Sequence, residues 1–298
     1  MIPLWVIITM LVAVLYAASS IIQKYVLRGD FGSLTYVMLI CLMNLIYATA
    51  TLLIIPNFSA SLLNLALGIT SGVLGALSAI LILHSIKHDE VSRVIPLMAT
   101  TPIFVAIFAA FLINETFTPL IYFAIIVMFV GSFLLSFKFE AGLPKKIKSL
   151  ELVILSNIIF AIATVMVKFV LSNGLDYTIY LFCGFFGFFL GTIPLWFSKK
   201  LRHNFSTNYK IFRNLKLVLL SESFALIAFL LVSYATLIGP ISLITSLKSL
   251  NILFVCLFAF VIGKFRPKIM KEEFEGRVLW TKIIAIVLLL IGTFIMVS

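Results

Sequence analysis

"SSIIQKYVL" (residues 19–27) ends one long apolar stretch of the chain, and "ATVMVKFVL" (residues 163–171) ends another, 144 positions later. Extended backwards, "YAASSIIQKYVL" (16–27) lies over "FAIATVMVKFVL" (160–171) and sets Lys24 on Lys168. Two further stretches match in the same order. "HSIKHDEVSRVIPLMATTPIFVAIFAAFLI" (84–113) lies over "YATLIGPISLITSLKSLNILFVCLFAFVIG" (234–263), pairing Ser92 with Ser242, Phe104 with Phe254 and Ala109 with Ala259. "FAIIVMFVGSFLLSF" (123–137) lies over "IAIVLLLIGTFIMVS" (284–298) and puts Gly131 on Gly292. Self-similar stretches that recur in the same order along a chain read as two copies of one structural unit.

That unit is built for lipid. With 63% hydrophobic residues, 11% charged residues and a mean hydropathy of +1.23, the chain lies far outside the soluble range. Its 29 Phe against 11 acids leave too little polar surface to cover a water-soluble body. Runs of about 17 to 25 apolar residues give ten spans, near 4–23, 34–55, 62–86, 94–113, 119–137, 152–171, 177–197, 217–236, 241–262 and 282–297. The polar segments between them, the longest at 138–149, 198–216 and 263–282, are too short to hold a domain core. Met1 to Trp5 carries no basic residue, so the first span reads as a retained helix rather than a cleaved leader.

Five spans per half is an odd number, so the two halves enter the bilayer in opposite directions. The expected fold is an all-α integral membrane protein, ten transmembrane helices arranged as two inverted five-helix repeats, 1–142 and 150–298. The loops after spans 1, 3, 5, 7 and 9 hold 20 of the 22 Lys and Arg when Lys24 is included, which makes that side cytoplasmic and both termini extracytoplasmic. This bias also accounts for the net charge of +11 without a nucleic-acid partner. Cys41, Cys183 and Cys256 sit singly in apolar runs, without metal-ligand spacing, and read as packing residues.

Two five-helix halves with a lysine closing the first helix of each, "TTPIFVAIFAAFLINE" (100–115) and the glycine-bearing "IIVMFVGSFLL" (125–135) together resemble the EamA-domain proteins of the drug/metabolite transporter superfamily. The resemblance covers nearly the whole chain. It implies secondary transport of a small metabolite across the cytoplasmic membrane by alternating access. A lipid-linked carrier flippase or a multidrug-type exporter on the same fold is the alternative. The second half departs from the first in carrying Phe265 where Glu115 stands, with an added loop bearing Glu272, Glu273 and Glu275. Many relatives keep their termini in the cytoplasm, whereas the charge count here points the other way.

Charge inside the hydrocarbon costs at least about 2.5 kcal/mol at a helix centre, so the deep ionisable groups come first. Glu222 lies about five residues into span 8 and Lys248 about seven into span 9. At ~1.5 Å rise per residue their backbones differ in depth by roughly 12 Å across a ~30 Å core. That leaves both a direct salt bridge and a shared watery cavity open. Lys248 is surrounded by Thr245, Ser249 and Asn251, a setting that suits a carboxylate or phosphate; Glu222 suits an amine or a proton, or snorkels to the interface. Gln23 and Asn44 either line the cavity or bond to neighbouring helices. Lys24, Lys168 and Glu115 stand at helix ends, where snorkelling and capping are the plain readings. The small residues of "GITSGVLGALSA" (68–79) and "GFFGFFLG" (184–191) read as close helix packing.

Neither paired aspartates, a Ser–His couple nor HExxH occurs in a span, and no phosphate loop occurs anywhere, so neither an enzyme nor an ATP-driven pump is expected. No cofactor or metal is expected. The expected partners are a small-molecule solute and the lipid bilayer, and the sequence is compatible with a homodimer.

Overall fold

The computed structural model describes residues 2–27, 32–88, 94, 97–136, 139–140, 143–144, 149–207, 210–265 and 277–297. They are almost entirely helical: α1 (Leu4–Leu27), α2 (Ser33–Ile54), α3 (Leu62–His88), a 3₁₀ turn (Met98–Thr100), α4 (Thr101–Ile113), α5 (Pro119–Ser136), α6 (Leu150–Ser172), α7 (Tyr177–Thr192), a second 3₁₀ segment (Ile193–Phe197), α8 (Lys199–Thr207), α9 (Lys210–Ile238), α10 (Ile241–Lys248), α11 (Asn251–Phe265) and α12 (Arg277–Val297). A two-residue ladder, Phe139–Glu140 with Leu143–Pro144, lies between α5 and α6.

Local chemistry sets the helix ends. Asp176 caps α7 by accepting from the Thr178 and Ile179 N–H groups at 2.8 and 3.2 Å. Gly174, at φ +81°, turns the chain after α6 in a conformation that penalises any side chain. Asn114 ends α4 in the left-handed region at φ 54°. Pro102 sits in the first turn of α4, where its missing N–H costs nothing.

Among the described residues, six helical stretches are long and apolar enough to cross a membrane: Leu4–Leu27, Ser33–Ile54, Leu62–Ile86, Leu150–Ser172, Tyr177–Phe197 and Leu215–Ile238. Shorter apolar helices cover Thr101–Ile113, Pro119–Gly131, Ile241–Val255 and Ile284–Ile295. Outward-facing Leu53, Leu62, Phe111 and Phe294 are each at least three-quarters exposed. Apolar surface of this kind belongs against lipid, where helices satisfy their own backbone bonds.

Two differences from the sequence expectation concern continuity. The polar stretch 198–216 contains helix α8 and the first turns of α9, because its charged residues are good helix formers. The run 241–262, expected as one helix, breaks at Ser249–Leu250. There the Ile252 N–H bonds to Ser249 O at 3.1 Å, one residue short of the Lys248 O that a continuous helix would use. On the other side of the alignment, α4 begins at Thr101 after the 3₁₀ turn at Met98–Thr100, and Met98 is the residue set over Lys248.

The packing is paired. Helix α1 lies against α9, α10 and α11, while α6 lies against α3 and α4; α2 meets α7, α4 meets α10, and α5 meets α12. At the α5–α12 crossing, a Cβ on Gly131 would stand 2.9 Å from Ala285 O, and one on Gly292 would stand 3.0 Å from Ala124 O. The alignment that sets Gly131 on Gly292 also sets Ala124 on Ala285, so the two contacts exchange. At the α3–α7 crossing, a Cβ on Gly72 would collide with Gly184 O and one on Gly187 with Ile69 O. The small-residue stripes thus let two backbones touch.

Candidate functional site

Helices α1, α2, α3, α4, α6, α7, α9, α10 and α11, with the 3₁₀ turn before α4, surround a cavity of about 410 Å³, within the size range of small-molecule sites. Lys248, Glu222, Thr245, Ser249, Asn251, Gln23 and Asn44 all line it. Seven residues chosen from chain positions 23 to 251 therefore meet at one surface. Lys24, Lys168 and Glu115 do not line the cavity.

Lys248 is the last residue of α10, so its ammonium lies at the negative end of the helix dipole. Its Nζ stands 4.6 Å from the Phe160 ring centre and 5.6 Å from that of Tyr16, both within cation–π range. Tyr16 and Phe160 are the aligned first residues of "YAASSIIQKYVL" and "FAIATVMVKFVL". The lysine thus lies over one ring from α1 and one from α6. Among the described residues no carboxylate lies within ion-pair distance of it, so it forms no salt bridge with Glu222, and of the two arrangements left open the shared cavity is the one found.

Glu222 does not snorkel; it is 7% exposed. The Tyr36 hydroxyl donates to its Oε1 at 2.6 Å, and Gln23 lies beside the same carboxyl. Tyr36 Oη also stands 3.4 Å from Ser221 Oγ, which is 3.1 Å from Ser19 Oγ; Gln23 Nε2 donates to that Ser19 oxygen at 3.3 Å. A polar chain thus crosses α2, α9 and α1. Asn44 lines the cavity while its amide donates to Ile40 O at 2.9 Å on its own helix.

The helix-end residues have other work. Lys168 Nζ donates to Thr236 O and Gly239 O, both at 2.9 Å, and so caps the carbonyl end of α9 rather than snorkelling. Glu115 Oε2 accepts from Ser242 Oγ at 2.7 Å and from Ser242 N at 3.2 Å, capping the start of α10. One corner, between α9 and α10, is therefore held from both sides by charges matched to the two helix dipoles. Cys41 and Cys183 are buried and unpaired, and the side chain of Cys256 lies outside the described residues.

Sequence reading missed Tyr36, Tyr16, Phe160 and Asn157. The Asn157 amide donates to Leu97 O at 2.9 Å and Thr100 Oγ1 at 2.6 Å, securing the 3₁₀ turn before α4. A signal did exist for Tyr36, since a tyrosine inside an apolar span needs a partner for its hydroxyl. Nothing local pointed to the Lys248 rings.

Residues 3–137 match the model of the EamA-like transporter family. A crystal structure of another protein, 14% identical in sequence, superposes over 98% of this chain and 97% of its own with a TM-score of 0.69. At that identity the likeness speaks for the fold alone. No curated protein sequence matches. The matched residues, 3–137, span α1 to α5, and over that part this membrane protein is similar to the EamA-like transporter family.

Proposed function

We propose that the protein is a secondary transporter, not an enzyme, that moves a small organic metabolite across the cytoplasmic membrane by alternating access. In this reading ten spans form two inverted five-helix repeats, 1–142 and 150–298, with the basic loops cytoplasmic. The observation that carries it is the cavity, where an interior lysine and an interior carboxyl share one surface lined from both halves of the chain. Substrate sites of inverted-repeat transporters lie at such interfaces and are formed by discontinuous helices. The break after Lys248, the turn before α4, and the exchanged contacts of Gly131 and Gly292 support the repeat. The lysine is also asymmetric, because Met98 stands at its position in the first half. A costly charge present in one half alone favours solute chemistry over architecture.

The test is Lys248→Met, which installs the residue of the other repeat. Metabolite pools inside and outside cells should differ between strains with and without the gene, and the variant should be inserted and folded yet behave as the deletion. Normal pools with the variant remove Lys248 from the mechanism, and pools that never respond to the gene count against transport itself.

A further inference from the structure

The two ends of the cavity differ in what they leave unbound. At the α10–α11 break, the Lys248 ammonium has ring faces on two sides and, among the described residues, no hydrogen-bond acceptor. The Asn251 side-chain amide lines the same cavity and makes no hydrogen bond among the described residues. The Thr245 and Ser249 hydroxyls donate to their own helix, to Ile241 O at 2.8 Å and Ser246 O at 2.5 Å. At the Glu222 end the situation is reversed, since the carboxyl already receives the Tyr36 hydroxyl and has Gln23 beside it. Phe185, Phe188, Phe229 and Leu226 line the same cavity, with the Phe185 and Phe229 rings 5.1 Å apart, and give it apolar surface.

We infer that the solute is an organic monoanion with an apolar, ring-sized body, its single acid group held by Lys248 and Asn251 and its body laid along Phe185, Phe188 and Phe229. This rests on the transporter reading and names its substrate class. An uncharged solute leaves the buried ammonium without compensation. A dianion such as phosphate brings two charges to one ammonium, in a cavity that also holds the Glu222 carboxyl. A zwitterion needs a carboxylate for its amine as well as a donor for its acid, and the carboxyl that lines the cavity already accepts the Tyr36 hydroxyl at 2.6 Å, so the amine has to share it. An aromatic body suits the apolar surface because ring edges and faces pack against Phe side chains with directional gain.

The test uses purified full-length protein in detergent and four probes: phenylacetate, phenylethylamine, phenylalanine and inorganic phosphate, each titrated against the thermal midpoint. Phenylacetate should bind saturably and more tightly than the other three, and Lys248→Met should weaken it about tenfold or more, as expected for loss of a charge-assisted hydrogen bond. If that variant does not yield folded protein, Asn251→Ala reads the same site and should weaken phenylacetate several-fold. Tighter binding of phenylethylamine, phenylalanine or phosphate overturns the monoanion assignment while leaving the cavity as a site. Phenylacetate binding that neither variant changes, or no saturable binding by any probe, also overturns it. The transport reading stands or falls separately, on the metabolite pools.

Discussion

Replacing Lys168 by methionine probes the corner where α9 turns into α10. The ammonium gives two hydrogen bonds of 2.9 Å to Thr236 O and Gly239 O. Bonds from a charged donor contribute about 1.5–3 kcal/mol each. Part of that is returned in the variant, because a half-buried charge no longer has to be desolvated and methionine packs well in an apolar setting. A net loss of about 2 kcal/mol follows. In a chain of this size each kcal/mol moves the unfolding midpoint by roughly 2 °C, so Lys168→Met should unfold about 4 °C below the parent in detergent. A local reporter is available, since a Cβ on Gly239 would lie 2.7 Å from Trp5 Cγ, which places the Trp5 indole directly on this corner. With Trp196 and Trp280 changed to Phe in both parent and variant, Trp5 emission should shift to the red as the corner loosens. An unchanged midpoint together with unmoved Trp5 emission would refute the reasoning and return Lys168 to an ordinary interfacial lysine.

Gly187→Ala should destabilise by about 1–3 kcal/mol, because its Cβ meets the Ile69 carbonyl and overpacked backbone cannot yield cheaply; loss of monodisperse protein on size-exclusion chromatography is the readout. Gly75→Ala is the control, having nothing within 4 Å of its Cβ, and should be neutral or gain up to about 1 kcal/mol of helix propensity. Equal behaviour of the two would mean that the α3–α7 contact is not limiting. For sidedness, in a background without native cysteines, a cysteine near Lys200 should resist an impermeant thiol reagent in intact cells and one after Ser298 should react. The reverse pattern would overturn the orientation drawn from the charge count. A cysteine near Lys271 should be protected as well, at a position outside the described residues.

Composition and apolar run length, both one-dimensional properties, were enough to read an all-helical membrane protein. The lysine and the glutamate that line the cavity could be picked out, because such a residue within an apolar run stands out against the cost of burying it. The partners of those residues could not be named. Tyr36 meets Glu222 across 186 positions, and Ser19 meets Ser221 across 202. No local pattern encodes such a pairing; it exists only once α2, α1 and α9 are packed. The same holds for Lys248, whose side chain is aimed by two rings from α1 and α6, and for the capping roles of Lys168 and Glu115, which depend on the corner they share. The break after Lys248 was hidden for a different reason: "SLKSLN" contains neither glycine nor proline, so only the tertiary contacts at the cavity, where freed backbone groups can be tolerated, decided that the helix would stop there.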